Sequence, residues 1–432
     1  QDGNWYWTYG GDYGPKDVPS FGNFCCNGLV NAVREPHPHL LEVKKIYQNI
    51  KSTLVDKKNL TIRVKNWFDF SDLNEYLLHW SVTGDDGTIV AEGSKEVTCA
   101  PHAVVDITLG AVKLPKTLRE AYLNLSWTRV KATPLVTSDW EVAYDQFVLP
   151  VSKNSWSGKP AKAGNTTFVV DEATGALKSL CLDGEELLAS PITLSLFRPA
   201  TDNDNRDQNG AKLWRQAGLD HLTQKVVSLK EGKNKTTVKA DILNAEGKKI
   251  GNAEFIYALN RDGSMKVQTT FEPDTSLVKS MARLGITFEM KDTYENVTYL
   301  GRGEHETYTD RNQSGKIGVY KTTPERMFHY YVVPQSTGNR TDVRWLQLTD
   351  EHGKGCWIEA NSFFQFSTFP FSDVILEKAR HINELKRDGK ITIHLDAEQA
   401  GVGTATCGPG VLPSYLVPLT KQTFDFTIYP VK

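Results

Sequence analysis

Cysteine is scarce in this sequence and shows none of the spacings that bind metals. The six cysteines are spread over 432 residues, and no two of them form a Cys-x-x-Cys pair. Structural zinc sites and disulfide-rich domains need closely grouped cysteines, so the sequence favours neither class. The neighbours Cys25 and Cys26 are poor partners for a disulfide with each other, because bridged cysteines need a wider Cα separation than adjacent residues provide. We interpret all six as small buried hydrophobic residues.

Neither sign of charge is in clear excess, and long apolar runs are missing. Lys and Arg number 50 against 52 Asp and Glu, which gives a formal net charge of -2. A nucleic-acid-binding domain normally carries a basic surface, so we predict no nucleic-acid partner. No apolar run approaches the roughly 20 residues of a membrane-spanning helix, so we predict no membrane span. The first residue is Gln1, without a methionine or a signal-peptide pattern, so we expect the natural N-terminus to lie further upstream.

The common catalytic motifs are absent as well. The sequence contains no Gly-x-Ser-x-Gly, no Walker loop, no His-Glu-x-x-His and no Gly-x-Gly-x-x-Gly that opens a helix. The enzyme classes built on those motifs are therefore not indicated. Composition and spacing predict a β-rich protein of about three domains, since a domain averages roughly 150 residues.

The amino-acid composition and the hydrophobic pattern change twice along the chain. Residues 1–42 are rich in Gly, Pro, Asn and aromatics and end in a helical pattern at 38–47, which suggests the tail of a domain whose body lies upstream. Residues 43–155 contain short alternating segments separated by turn signals, a pattern typical of an immunoglobulin-like β-sandwich. A Ser-, Gly-, Lys- and Pro-rich connector follows, and strand-like segments over 160–432 predict a large two-sheet β-sandwich. The only long helical candidate in that last part is 211–217.

Three polar loops contain more functional groups than a plain scaffold needs. The acid- and amide-rich segment 201–210 could grip sugar hydroxyls, bind a hard cation, act as a mobile lid, or be only a solvated turn. Within the polar segment 299–311, Glu306 and Arg311 could take part in acid–base chemistry or form a buried structural ion pair, which we favour. The Gly-rich segment 400–410 is either a turn or a rim that a ligand approaches closely.

Seven segments, in the same order and spacing, resemble the long, five-domain β-galactosidases of glycoside hydrolase family 2. The first three are similar to the last stretch of that family's catalytic (β/α)8 barrel, and the other four are similar to its C-terminal domain. The segments are Trp7–Gly14, Asn23–Val30, Glu35–Leu40, Arg198–Asp204, Gly301–Arg311, Tyr331–Gln335 and Gly338–Arg344.

The resemblance implies a mainly β chain: a barrel remnant at 1–42, an immunoglobulin- or fibronectin-like linker domain at 43–155, and a galactose mutarotase-like β-supersandwich at 160–432. The family hydrolyses terminal β-D-galactosides with retention of configuration, through two glutamates whose carboxyl groups lie roughly 5 Å apart. Both glutamates, and the ligands of the family's magnesium ion, belong to barrel sequence upstream of Gln1. We therefore expect no catalytic residue in this chain, no activity from it alone, and the missing N-terminal and barrel domains as its partners.

The resemblance also implies part of a cation site. The backbone carbonyl of Phe24 and the side-chain oxygen of Asn27 correspond to ligands of a sodium or potassium ion that contacts the 6-hydroxyl of the sugar. Neutral oxygen donors of this kind suit a hard cation. The family's remaining aspartate ligand is expected outside this chain.

Two loops correspond to the mouth of the family's active site. Asp202, Asn203 and Asp204 match the segment that leads into a mobile loop there. Cys407 and Gly408 lie on a loop where well-known members place a tryptophan that stacks on the substrate. No tryptophan is present in this loop here, so the resemblance does not extend to the way that the aglycone is bound.

Two other functions stay open beside the enzyme-fragment hypothesis. The main alternative is a noncatalytic galactoside-binding or complementation module, comparable to the separate small chain of some family members. Aldose epimerase activity is a weaker hypothesis, because the catalytic His and Glu spacing of the mutarotases is not identifiable. Family members often assemble as dimers or tetramers, so a homo-oligomer is expected for the full-length protein.

Overall fold

The computed structural model describes residues 5–160 and 165–431 of this chain. The connector predicted after residue 155 lies partly outside these described residues. The chain forms two compact units, of which the smaller comprises His39–Lys159 together with Lys316–Val319. The larger unit comprises the described residues up to Pro38, those from Pro160 to Gly315 and those from Tyr320 onward.

The smaller unit is a β-sandwich, built over residues 39–159 from seven strands, and helix α1 (Pro38–Ile46) precedes it. The strands pair antiparallel as a three-stranded and a four-stranded sheet. This confirms the predicted immunoglobulin-like sandwich. The strands are β1 (Ile50–Asp56), β2 (Thr61–Asn66), β3 (Tyr76–Gly84), β4 (Ile89–Glu96), β5 (Val104–Thr108), β6 (Glu120–Arg129) and β7 (Glu141–Pro150). One sheet has the order β1-β2-β5 and the other the order β4-β3-β6-β7.

Alternation of side chains brings apolar residues from both sheets of this sandwich into one core. Leu123, Leu125 and Trp127 recur at every second position of β6 and are buried, as are Ile62 and Val64 on β2. Successive side chains of a strand point to opposite faces, so this spacing puts all five on the inner side. All the cysteines are free in the part of the chain that the structure describes. The sandwich is therefore held together by apolar packing.

The larger unit is mainly β and contains short helices, of which one lies at the predicted position 211–217. Its strands are β8 (Thr166–Val170), β9 (Leu177–Leu182), β10 (Glu185–Glu186), β11 (Thr193–Ser195), β12 (Thr223–Gly232), β13 (Lys235–Leu243), β14 (Lys249–Leu259), β15 (Met265–Pro273), β16 (Arg283–Lys291), β17 (Asn296–Gly303), β18 (Lys316–Thr322, shared with the smaller unit), β19 (Arg340–Thr349), β20 (Gly355–Phe369), β21 (Lys390–Gln399) and β22 (Gln422–Val431). Its helices are α2 (Ala211–Ala217), α3 (Pro324–Met327) and α4 (Asp373–Lys378). No helix among the described residues is long and apolar enough to cross a membrane.

Most strands of the larger unit belong to one long antiparallel sheet. Its main path has the order β11-β16-β21-β20-β22-β15-β14-β13-β12, and β19 pairs with both β20 and β17. The short strands β8, β9 and β10 form a separate small sheet. The mainly β fold class predicted from the sequence is confirmed.

The part of the long sheet formed by β16, β20 and β21 has two different faces. One face carries Phe366 and Leu395 into the large hydrophobic core. The opposite face carries Gln365, His394 and Asp396, which are polar and yet buried. Phe369 lies on this second face as well and packs its ring against His394. Because buried polar groups are costly unless they are hydrogen-bonded, the polar residues of this face need polar contacts in addition to apolar packing.

The described residues 5–37 add little to the core of the larger unit. The short 3-10 turn Gly22–Cys26 buries none of its residues. Trp5, Tyr13 and Phe21 are 95%, 78% and 92% exposed. Large apolar surfaces that lie open in this way are typical of regions that bind another protein surface.

The interpretation of the cysteines as buried hydrophobic residues is wrong for most of them. Those in the open 3-10 turn and in the Gly-rich loop lie in segments that cover no core, so the usual burial of a free thiol does not apply there. The buried cysteines are Cys99 and Cys356, the half-buried ones are Cys26 and Cys181, and the exposed ones are Cys25 and Cys407.

Candidate functional site

Arg198 anchors the loop that follows strand β11. Its guanidinium is fully buried and pairs with both carboxylate oxygens of Asp204, with Nε 3.0 Å from Oδ2 and Nη2 2.8 Å from Oδ1. The same guanidinium donates to the carbonyls of Ala400 and Gly401, each at 2.8 Å. Burial would lower the pKa of Arg198, but the attraction of Asp204 outweighs it and raises the pKa. One buried cation therefore joins the loop after β11 to the Gly-rich loop after β21.

Asp202 connects the loop after β11 to two further segments. Asn23 Nδ2 donates to Asp202 Oδ2 at 2.8 Å, and the Asp202 N–H donates to Gln335 Oε1 at 3.0 Å. Gln335 Nε2 also donates to Asp202 Oδ2, at 3.3 Å. Asn23 belongs to the 3-10 turn Gly22–Cys26. The turn beside the predicted cation ligands is thus hydrogen-bonded to the predicted substrate loop.

Asn203 binds the Gly-rich loop directly. Its Nδ2 donates to the Gly403 carbonyl at 3.0 Å, and its Oδ1 accepts the Thr406 N–H at 3.0 Å and the Thr406 hydroxyl at 2.6 Å. Cys407 and Gly408 follow at once in the sequence and are exposed. The predicted substrate-loop residues therefore lie on one hydrogen-bonded pair of loops, with the last two at its open side.

Two carboxylates that sequence reasoning missed also hold the Gly-rich loop. Asp310 accepts the N–H of Val402 at 3.1 Å and the N–H of Gly403 at 2.8 Å. Asp207 accepts the N–H of Val411 at 2.6 Å. Both acids belong to segments that the sequence singled out as polar. Their partners lie far along the chain, so local spacing contained no signal for these contacts.

We expect Asp310→Ala to loosen the Gly-rich loop. The substitution leaves the half-buried N–H groups of Val402 and Gly403 without their acceptor, and losing a hydrogen bond of this kind costs about 1 kcal/mol. Because the lost bonds are local, backbone hydrogen exchange should accelerate over residues 401–411 while the midpoint of thermal unfolding changes less. Hydrogen exchange followed by mass spectrometry measures this.

Asp171→Ala is the matched control for that experiment. Asp171 likewise accepts two backbone N–H groups, from Ala173 at 3.0 Å and Thr174 at 2.9 Å, in an exposed turn. It should accelerate exchange in its own turn alone. Equal protection of residues 401–411 in both variants would contradict the role given to Asp310.

Glu306 and Arg311 form an ion pair between Glu306 Oε1 and Arg311 Nη2. Glu306 also accepts the N–H of Gly338 at 2.7 Å and the hydroxyl of Tyr331 at 3.4 Å. Burial would raise the pKa of Glu306, but Arg311, the Gly338 N–H and His329 outweigh it and lower the pKa. A carboxylate held ionised by protein groups is poorly suited to donate a proton, so the geometry favours the structural ion pair over acid–base chemistry.

Phe24 and Asn27 converge on one point of the exposed turn. Asn27 Nδ2 donates to the Phe24 carbonyl at 2.5 Å. A half-turn of the amide would place Oδ1 beside that carbonyl, giving two neutral oxygens of the kind that a hard cation binds. The two residues therefore fit part of the predicted sodium or potassium site. Over the described ranges, no group of three or more His, Cys, Asp or Glu side chains is arranged to hold a metal ion.

Three family models match this chain in succession. The model for the TIM barrel domain of glycosyl hydrolases family 2 matches residues 1–52, and the model for domain 4 of β-galactosidase matches residues 62–150. The model for the β-galactosidase small chain matches residues 162–429, more than half of the sequence. The chain belongs to the β-galactosidase small-chain family. The resemblance to the family 2 β-galactosidases drawn from its motifs is confirmed.

The bacterial relatives of this chain are much longer than it is. The β-galactosidase of Priestia megaterium is 31% identical over 425 residues, which cover 93% of this chain and 40% of the relative. The β-galactosidase of Aeromonas hydrophila is 31% identical over 433 residues, which cover 93% and 41%. The chain thus spans about 40% of the length of the curated relatives it matches. Among solved structures, an exo-chitosanase from Amycolatopsis orientalis gives a TM-score of 0.21 at 13% identity, over 60% of this chain and 27% of that one.

Proposed function

We propose that this chain completes the sugar site of a retaining β-galactosidase whose catalytic glutamates come from a barrel domain. The observation that carries the proposal is the 2.8 Å hydrogen bond from Asn23 to Asp202. This bond connects the barrel-like sequence with a loop of the small-chain domain, so residues from both segments lie side by side in the fold. The reaction would be hydrolysis of a terminal β-D-galactoside by double displacement, with two carboxyl groups roughly 5 Å apart on opposite sides of the anomeric carbon.

In this proposal the loops of the chain bind the sugar and do none of the bond-breaking. Asp202 presents a carboxylate at the junction, and such a group suits sugar hydroxyls. Asn203 holds the Gly-rich loop beside it through its amide. Phe24 O and Asn27 Oδ1 would hold the sodium or potassium ion, which when bound attracts a hydroxyl oxygen. Magnesium would be held by the barrel. The aglycone would lie at the open side of the loop pair, where Cys407 is exposed.

The open aromatic surface of residues 5–37 supports the barrel and its preceding domains as the partner. Trp5 and Phe21 are each more than nine-tenths exposed. Covering such side chains stabilises an interface by roughly 25 cal/mol for each Å² of apolar area removed from water. The same observation favours the complementation hypothesis, in which the two parts associate without being joined.

A chimera in which this chain replaces the matching part of the Priestia megaterium relative tests the proposal. We expect the chimera to hydrolyse a nitrophenyl β-galactoside and the isolated chain to show no hydrolysis. In the chimera, Asp202→Ala should lower kcat/KM by about 10- to 100-fold, the effect of losing roughly 1.4–2.8 kcal/mol of transition-state binding. Steady-state kinetics measures both effects.

Asp171→Ala in the chimera is the control, because it removes an exposed carboxylate from a turn of the small separate sheet. Its kcat/KM should equal that of the parent chimera. Hydrolysis by the isolated chain, or an Asp202→Ala chimera as active as the control, would refute the proposal.

A further inference from the structure

Polar side chains on the buried face of β16, β20 and β21 have hydrogen-bonding atoms without protein partners. Within residues 5–160 and 165–431, no group is hydrogen-bonded to Nε or Nη1 of Arg283, Oδ1 of Asp396, Nδ1 of His394 or Oγ of Ser367. These four side chains belong to residues that are at most 1% exposed. Buried polar atoms nearly always have a partner, so five orphaned atoms on one sheet face need an explanation.

The strand register puts the orphaned atoms side by side. Ser367 pairs with His394 and Gln365 pairs with Asp396 where β20 meets β21. On β16, Arg283 reaches toward the same place, with its Nη1 3.6 Å from Asp396 Oδ2. Residues two apart on a strand share a face, so the atoms form one patch rather than scattered defects.

Asp396 and His394 each make one polar contact within the protein. Asp396 Oδ2 accepts from Gln399 Nε2 at 2.8 Å, and His394 Nε2 lies 3.1 Å from Asp373 Oδ1. In each of these two side chains, one polar atom contacts a protein group and the other has no hydrogen-bond partner among the described residues. The Asp373 side chain, at the first residue of helix α4, is 32% exposed and lies at the edge of the patch.

Asp373 also lies within the electrostatic field of the patch. Burial would raise the pKa of Asp373, but attraction by His394 and Arg283 outweighs it and lowers the pKa. The edge of the patch beside α4 thus carries a carboxylate that stays ionised and can accept hydrogen bonds.

We propose that Arg283, Ser367, His394 and Asp396 form a site for neutral hydroxyl-bearing ligands, namely ordered water or the hydroxyls of a small sugar. The guanidinium donates, the carboxylate accepts, and the serine hydroxyl and the imidazole nitrogen can do either. A hydroxyl group both donates and accepts, so it can bridge these atoms. An apolar ligand would satisfy none of them, an anion would face Asp396, and a cation would face Arg283. The inference stands independently of the proposed catalytic role.

Consecutive residues of β20 provide a matched pair of variants. Ser367 faces the patch, whereas Thr368 pairs with the core residue Ile393 and its Oγ1 has no partner in the described part of the chain. Ser367→Ala should lower the midpoint of thermal unfolding by roughly 2 °C, because it removes a hydroxyl that is hydrogen-bonded to the ligand. Thr368→Val should leave the midpoint unchanged or raise it, because it removes an unpaired hydroxyl from an apolar face. An unchanged or raised midpoint for Ser367→Ala overturns the proposal.

Crystals of the whole chain, grown without sugar and soaked with galactose, separate the two sources of hydroxyl groups. Ordered water within hydrogen-bond distance of at least three of the five atoms in both crystals supports the site with water as its ligand. Galactose hydroxyls at the same atoms in the soaked crystal support it with the sugar as its ligand. A dry patch in both crystals, or side chains rearranged to pair with one another, overturns it.

Discussion

An Arg198→Met substitution is expected to cost about 3–5 kcal/mol of folding stability, the range found when one partner of a buried ion pair is removed. Methionine fills much of the space but leaves the Asp204 carboxylate, which is 2% exposed, without its counter-charge. The carbonyls of Ala400 and Gly401 also lose their donor. Urea unfolding followed by tryptophan fluorescence measures the loss.

A double variant, Arg198→Met with Asp204→Leu, shows whether the buried charge causes that loss. With both charges removed, no ion is left buried, so much of the stability should return. The double variant should still have a looser Gly-rich loop, because the two carbonyls remain without a donor. A double variant as unstable as the single one would contradict the explanation by charge.

Strands that have one face in water and one in a core could be predicted from the sequence. In the sandwich, β3 and β6 alternate apolar and polar residues within 43–155, the part of the chain where such alternation was predicted. Strand β20 (Gly355–Phe369) shows no such alternation, although it is among the longest strands of the sheet. Its middle residues Asn361, Ser362 and Phe363 are exposed, and the strand changes neighbours around them. Strand β22 pairs with Gly355–Glu359 and strand β21 pairs with Gln365–Phe369. Periodicity fails where a strand changes neighbours along its length.

The loop residues of the candidate site were predicted only in part. The resemblance placed Asp202 and Asn203 at the mouth of the site, but the contacts of Asp310 with Val402 and Gly403 bring together segments that only the fold makes adjacent. The alternation of His394 and Asp396 with apolar residues in β21 likewise did not show whether these two side chains are exposed or buried. Alternating polar residues usually face water, whereas here both faces of the sheet are covered. Whether a polar stripe is buried depends on what packs over it, and a strand's own sequence does not contain that.

Replacing Glu306 with Gln is expected to cost about 3–5 kcal/mol, because it leaves the largely buried Arg311 guanidinium without its counter-charge. Tyr331→Phe is the matched control, since it keeps both charges and removes only a hydroxyl that lies 3.4 Å from the same carboxylate and contacts Arg311. That control should cost about 1 kcal/mol or less. Urea unfolding at neutral pH compares the two variants with the parent chain. Equal losses in both would mean that the ion pair contributes no more than the tyrosine hydroxyl.

The pH dependence of stability distinguishes an ionised Glu306 from a neutral one. The folded-state pKa of Glu306 is lowered, chiefly by Arg311. Its contribution is therefore fully present above the unfolded-state pKa, about 4.3 for Glu, and is lost as pH falls through the lower folded-state pKa. The parent chain should lose stability relative to Glu306→Gln below about pH 4, so the gap between the two stability curves narrows on acidification. Curves that stay parallel from about pH 7 to pH 3 would show that Glu306 has the same affinity for protons in both states, contrary to the ion pair described above.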